Sequence, residues 1–210
     1  QVRQKFDYTV TELNVGGGMG IAYVPSDDPL NVAHMAKAIH DIVTSECART
    51  NFPLPRLAVE PGRAIIGGGA ITVYEIGTVK PVDVSDSLVR HYISVDGGIS
   101  DNIRTALYDA QYTVAIASRE STGVPVTSRV VGKHCESGDI VVRDTQLPAD
   151  LVPGDLLAVA ATGAYCRAMA SNYNYLPKPA VISTKDGKSQ VLLRRETIDD
   201  LLALDAGIAN

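Results

Sequence analysis

The chain has 210 residues, a formal net charge of −5, 45% hydrophobic and 20% charged residues, a balance ordinary for a globular protein of one or two domains. That balance offers no basic footprint for nucleic acid, no apolar run approaches the ~18 residues of a membrane span, and Gln1–Val10 lacks the apolar core of a signal peptide. Three cysteines, Cys47, Cys135 and Cys166, fit neither a zinc site nor a disulfide framework, which points to reduced thiols in a cytoplasmic setting.

In chain order, Thr9–Val15 reads as a short strand that ends in Gly16-Gly17-Gly18, where glycine permits backbone conformations closed to other residues. Pro29–Arg49 carries Val32, Met35, Ala36, Ile39, Ile42 and Val43 at helical spacing. Asp27 or Asp28 is the expected cap, with proline in the first turn. Arg56–Val59 is a second strand, closed by Glu60-Pro61-Gly62-Arg63. Strand, helix and strand in succession predict a βα-repeat architecture with a parallel sheet.

After Gly67-Gly68-Gly69 the pattern changes. Ala70–Val82, Val89–Val95, Tyr112–Ala117, Val124–Val131, Asp139–Val142, Asp155–Ala160 and Pro179–Ser183 read as β segments between Gly, Pro and Asp turns. Only Ile103–Tyr108 and Thr197–Leu204 look helical. The expected fold class is therefore α/β plus all-β, with residues 1–68 forming the α/β part and 69–210 a barrel or sandwich with short helices. Two βα units leave most of a parallel sheet missing. A complete (β/α)8 barrel takes ~250 residues, so residues 1–68 read as the end of a larger domain.

Four sites carry possible chemistry. Gly16-Gly17-Gly18 lies between a strand and a helix, where backbone N–H groups can cradle a phosphate, although a plain tight turn would look the same. Glu60-Pro61-Gly62-Arg63 repeats the arrangement one unit later, and two adjacent strand-end turns strengthen the phosphate reading. Arg63 offers bidentate recognition of a carboxylate or lies at the surface. Arg104 and Tyr108, four residues apart, share a face if their segment is helical; an exposed arginine over a tyrosine is the plainer option. Gly132-Lys133-His134-Cys135-Glu136-Ser137-Gly138-Asp139 sets a thiol beside a carboxylate in a loop between β segments. Cys135 can be a small buried apolar group, a nucleophile or a proton donor. An unperturbed thiol stays mainly protonated near neutrality, and Glu136 beside it favours donation. Tyr165 in Gly163-Ala164-Tyr165 either covers the end of a barrel or aims its phenol at a cofactor. Asp96-Gly97-Gly98 reads as a structural turn, and His34, His40, His91 and His134 as surface or structural residues.

In this order the four sites resemble the fold-type III decarboxylases that use pyridoxal phosphate (PLP), and within them the diaminopimelate decarboxylases. The resemblance runs from Leu13 to Tyr165 and implies a PLP-binding (β/α)8 barrel followed by a β-barrel, with active sites shared across a homodimer. It implies that Gly17, Gly18, Glu60, Pro61, Gly62 and Arg63 contact PLP, mainly at its phosphate. Arg63, Arg104 and Tyr108 would bind substrate, and Tyr165 both cofactor and substrate. Cys135 as proton donor and Glu136 as substrate ligand would reach the partner's site. The implied reaction is decarboxylation of meso-2,6-diaminopimelate to L-lysine, the last step of lysine biosynthesis. Relatives acting on ornithine or arginine typically place aspartate after the cysteine; this chain has Glu136.

The family's Schiff-base lysine and cofactor-stacking histidine sit early in the barrel, and none of this chain's lysines occupies that context. The expectation is a C-terminal portion of the enzyme, inactive by itself; Gln1 in place of an initiator methionine agrees. A non-catalytic β-domain protein derived from the same family is the alternative. A PLP-free phosphate-binding regulator would rest on the glycine turns alone.

Overall fold

The computed structural model describes residues 2–207. The chain opens on a short helix that the sequence pattern did not suggest, α1 (Val2–Phe6), followed by strand β1 (Glu12–Asn14), helix α2 (Val32–Arg49) and strand β2 (Arg56–Ala58). β1 and β2 pair in parallel, Leu13 opposite Leu57, as expected of a βα unit. α2 begins later than expected. Asn31, extended at φ −63° and ψ 121°, caps it by accepting from the backbone N–H groups of Ala33 and His34 at 2.9 and 3.1 Å. The Asp27 carboxylate instead closes a turn, accepting from the N–H groups of Tyr23 and Val24. Met35, Ile39, Val43 and Cys47 form the half-buried stripe of α2.

Helix α3 (Gly62–Ile66) runs into a 3-10 turn at Gly67–Gly69. Beyond it lie β3 (Thr72–Ser85), β4 (Leu88–Val95), α4 (Arg104–Tyr108), β5 (Val114–Ile116), β6 (Pro125–Val131), β7 (Ile140–Pro148) and β8 (Leu156–Val159). Six strands form one sheet in the order β5-β8-β3-β4-β6-β7. All neighbours are antiparallel except β4 and β6, which run parallel with His91 opposite Ser128. Among the described residues no pairing joins β5 to β7, so the expected barrel is here a mixed sheet with two edges. β7 runs six residues past the expected Val142 because Leu147 returns its apolar face to the core after the exposed Arg143 and Asp144.

The C-terminal part holds a hairpin of β9 (Val181–Lys185) and β10 (Lys188–Leu193), then α5 (Ile198–Leu202). β10 was not anticipated. Its turn, Asp186-Gly187, has positive φ at both residues (52° and 72°), the geometry of the two-residue hairpin loop that matches strand twist.

The core lies on one face of the large sheet. Tyr74 and Ile76, Ile93 and Val95, and Leu157 and Val159 alternate inward along β3, β4 and β8, the period of two that a pleated strand imposes. Val130, Val141, Leu157 and Val159 are completely buried, and each such side chain contributes roughly 1.5–3 kcal/mol by leaving water. The sheet also docks onto the first part. Gly163 N–H donates to Gly67 O at 3.1 Å and Thr113 N–H to Tyr23 O at 3.0 Å. A Cβ at Gly163 would lie 2.0 Å from Ile66 O, so this close approach requires glycine. That contact carries Tyr165 to the end of α3.

Candidate active site

The two glycine turns meet at the ends of β1 and β2. Gly16 and Gly18 have φ of 74° and 92°, where side chains are strained. Asn14 bridges the turns: its Oδ1 accepts from Gly16 N–H and its Nδ2 donates to Glu60 Oε1, both at 2.7 Å. Glu60 N–H closes the pair on Gly16 O at 2.8 Å. A Cβ at Gly17 would lie 2.4 Å from Glu60 O, whereas nothing lies within 4 Å of one at Gly18 or Gly62. The pair of turns is tight within and open outward. Directly after Gly62, Arg63 keeps its Nε buried without a hydrogen-bond partner. A buried donor left unsatisfied costs about 1–3 kcal/mol, a cost that an anionic partner reaching it would remove. The residues present therefore fit the phosphate of PLP or a carboxylate.

Arg104 and Tyr108 lie on α4 as expected, but they do not present one common surface. Arg104 turns inward and is 7% exposed, whereas Tyr108 is 62% exposed. The Arg104 guanidinium lies over the rings of Tyr23, Tyr165 and Tyr112, with 4.7, 5.5 and 5.7 Å to their centroids. Its Nη1 donates to the Tyr112 hydroxyl at 2.7 Å. Such contacts between a cation and aromatic faces strengthen where water is excluded. Burial pushes the Tyr112 phenol up, with Cys166 adding to it, and burial also raises the Cys166 thiol. Tyr165 is half exposed at φ 71°, two residues after Gly163, which lies against Ile66 and Gly67 at the end of α3. Tyr23 and Tyr112, the walls of the cage, were missed in the sequence. Nine tyrosines against two phenylalanines are the one compositional sign of polar aromatic sites.

The Cys135 loop, between β6 and β7, is a separate construction. Cys135, Glu136, Ser137 and Gly138 are exposed, between the buried His134 and Asp139. The Asp139 carboxylate accepts from His134 N–H at 2.7 Å, from His134 Nδ1 at 2.8 Å and from Ile99 N–H at 2.7 Å. Gly98 and Gly132 close over it, since a Cβ at either would come within 2.3 Å of its oxygens. His134 is thus structural, with a fully buried side chain. Its ring stacks on Tyr173 at 5.8 Å between centroids, and the Tyr173 hydroxyl donates to Glu136 Oε1. The Asp96-Gly97-Gly98 turn is also structural and accepts from Lys133 N–H through Gly97 O at 3.0 Å. Among the described residues no hydrogen bond or ion pair joins Cys135 or Glu136 to Arg63, Arg104 or Tyr165. A single copy sets Arg104 against the Tyr165 ring and Arg63 directly after Gly62, and exposes Cys135 and Glu136 on their own loop.

Comparison with known proteins shows the family. Residues 1–67 match the model for the pyridoxal-dependent decarboxylase pyridoxal binding domain, and residues 69–163 match the C-terminal sheet domain of the same decarboxylases. The chain belongs to the pyridoxal-dependent decarboxylase family. A diaminopimelate decarboxylase of Mycobacterium bovis is 57% identical over 196 residues, covering 93% of this chain and 44% of the relative. Among solved structures, the diaminopimelate decarboxylase of Helicobacter pylori complexed with L-lysine is 30% identical, with a TM-score of 0.78 over 92% of this chain and 44% of that one. The diaminopimelate decarboxylase of M. jannaschii reaches a TM-score of 0.86 at 27% identity, over 97% of this chain and 44% of that one. This pyridoxal-dependent decarboxylase chain spans less than half the length of these relatives.

Proposed function

We propose that this chain supplies part of the active site of a PLP-dependent decarboxylase that converts meso-2,6-diaminopimelate to L-lysine, the final step of lysine biosynthesis. The observation that carries the reading is the pair of outward-open glycines Gly18 and Gly62, with the buried, unpartnered Nε of Arg63 on the residue after Gly62. In this reading Gly17, Gly18 and Glu60 through Arg63 hold the cofactor phosphate, and Tyr165 lies against both cofactor and substrate. Bound there, PLP supplies an electron sink for the bond to the departing carboxylate.

The chain's own residues orient the substrate and move a proton. Diaminopimelate has an amino-acid group at each end, so its distal end needs a cation for the carboxylate and an anion for the ammonium. Arg63 and Arg104 offer the cations, and the exposed Tyr108 on the same short helix as Arg104 joins them in holding substrate. Glu136 offers the anion. After carbon dioxide leaves, the substrate carbon must be protonated, and the Cys135 thiol is the acid. In this reading Cys135 and Glu136, exposed and with no hydrogen bond or ion pair to Arg63 or Arg104 among the described residues, serve the site of a second copy, which makes the working unit a homodimer. The parallel β1–β2 pair supports residues 1–68 as the end of a (β/α)8 barrel, and residues 69–210 form the β domain that follows it, a mixed sheet open at β5 and β7 among the described residues. No helix among the described residues is long and apolar enough to cross a membrane; the three free cysteines are what supports a cytoplasmic enzyme.

The test is an assay of carbon dioxide and lysine formation by the full-length protein, unaltered and as Cys135→Ala. The unaltered protein should turn over meso-diaminopimelate. The variant should lose about 10²-fold or more in kcat, the scale of general acid catalysis, with PLP binding unchanged. An unchanged kcat removes Cys135 from the proton-donor role. Failure of the unaltered protein to act on diaminopimelate leaves a non-catalytic binding or dimerisation role.

A further inference from the structure

We infer that Tyr173 is a positioning residue for Glu136, fixing one carboxylate oxygen so that the other faces the substrate's distal ammonium. The inference rests on the reading of Glu136 given above. Tyr173 donates its hydroxyl to Glu136 Oε1, and Oε2 has no partner among the described residues. A glutamate on an exposed loop otherwise samples many rotamers, and ordering it on binding weakens the complex. A preset carboxylate avoids that cost.

The tyrosine is itself held from two sides. Its ring stacks on His134, with an interplanar angle of 23°, and His134 is locked by the buried Asp139. Its backbone follows a segment tied at several points. Asn172 Nδ2 donates to Glu196 Oε2 at 2.7 Å and to Leu176 O at 3.0 Å, and Lys178 Nζ donates to Asn172 Oδ1 at 2.8 Å. Ser171 N–H donates to Ser100 O at 2.8 Å. The C-terminal strap through Glu196 therefore holds Tyr173 in place, and Tyr173 holds Glu136. The hydrogen bond to Glu136 raises the pKa of the Tyr173 phenol, so the hydroxyl keeps its proton and remains the donor at neutral pH.

A group that binds the distal ammonium equally in ground and transition states affects KM and leaves kcat nearly untouched. The test compares Tyr173→Phe, Glu136→Gln and the double variant in the full-length holoenzyme with meso-diaminopimelate. Tyr173→Phe keeps the ring that stacks on His134 and removes one hydroxyl. It should raise KM about tenfold, the size of one charge-assisted hydrogen bond, with kcat within about twofold and an unchanged melting temperature. The double variant should be no worse than Glu136→Gln, since the phenol acts only through that carboxylate. Additive losses in KM would overturn the inference, as would a Tyr173→Phe enzyme that loses kcat and melting temperature at constant KM. If Glu136→Gln raises KM and Tyr173→Phe does not, the positioning role fails and the reading of Glu136 stands. If Glu136→Gln leaves KM unchanged, Glu136 does not bind the ammonium and both fall.

Discussion

A carboxylate with three donors at 2.7–2.8 Å and two glycines closed over it is an anchor, and Asp139 anchors the loop that displays Cys135 and Glu136. Replacing it by alanine leaves the N–H groups of Ile99 and His134 and the His134 ring unsatisfied in a site without room for much water. The expected loss is about 3 kcal/mol, at the upper end for stranded buried donors. Asp139→Asn should lose less, because one amide oxygen still accepts. Urea unfolding of both variants checks the order, and equal stability of Asp139→Ala and the parent would discount the anchor. At this scale the sequence exposed the groups with distinctive chemistry: the glycine turns, Arg63 and the Cys135-Glu136 pair. It did not reveal who holds them. Arg104 was legible as a candidate arginine, but its cage comes from Tyr23 and Tyr112, which only folding places beside it. Tyr173 lies in an irregular segment with no periodicity to mark it.

Elements with a regular period were legible, and their ends were not. The apolar spacing of α2 and the alternation along β3, β4, β6 and β8 follow from which face each element buries. The start of α2 was misplaced because Asp27, Asp28 and Asn31 can all cap a helix, and backbone geometry decides between them. β10 was missed because Lys188-Ser189-Gln190 exposes both faces and carries no alternation. Connections between elements are set by charge pairs that spacing cannot predict. Asp155, buried just before β8, takes Arg119 Nε at 2.8 Å and Nη2 at 2.9 Å, Val152 N–H at 3.0 Å and Ser118 Oγ at 3.2 Å. It thereby ties the end of the β7–β8 connection to the segment after β5. The Arg119 hydrogen bonds and then Val152 N–H hold its pKa down to about 2. A carboxylate with a depressed folded pKa stabilises the fold fully above its unfolded pKa, near 4, and loses that contribution as pH falls towards 2. Asp155→Asn should therefore lower the urea midpoint at pH 7, and the gap to the parent should close between pH 4 and pH 2. A gap that persists unchanged at pH 2 would show that the Asp155 charge does not supply the stability.

At the scale of the whole molecule, the first part cannot stand on the contacts it makes here. Parallel strands are normally covered on both faces, yet β1 and β2 form a sheet of only two strands. Beside them a cavity of about 370 Å³ opens between α2 and β1, lined by apolar groups that include Leu13, Ile42, Val43 and Phe52. The relatives extend well beyond the matched region, which is 44% of the Mycobacterium bovis enzyme. The cofactor-anchoring lysine is therefore expected outside residues 1–210. The lysines present are committed elsewhere or lie away from the glycine turns. Lys37 pairs with Asp41 along α2 and Lys178 with Glu196 under the C-terminal strap. Lys80 lies on β3, Lys133 on the Cys135 loop, Lys185 and Lys188 on the β9–β10 hairpin, and Lys5 on α1. Borohydride reduction of the full-length protein with PLP, followed by peptide mass mapping, should place the pyridoxyl group on a lysine outside this stretch. The same treatment of residues 1–210 alone should leave no specific label. A label on Lys133, or on any other lysine within residues 1–210, would show that this chain supplies the anchoring lysine itself. The division of labour proposed for the two parts of the protein would then be wrong.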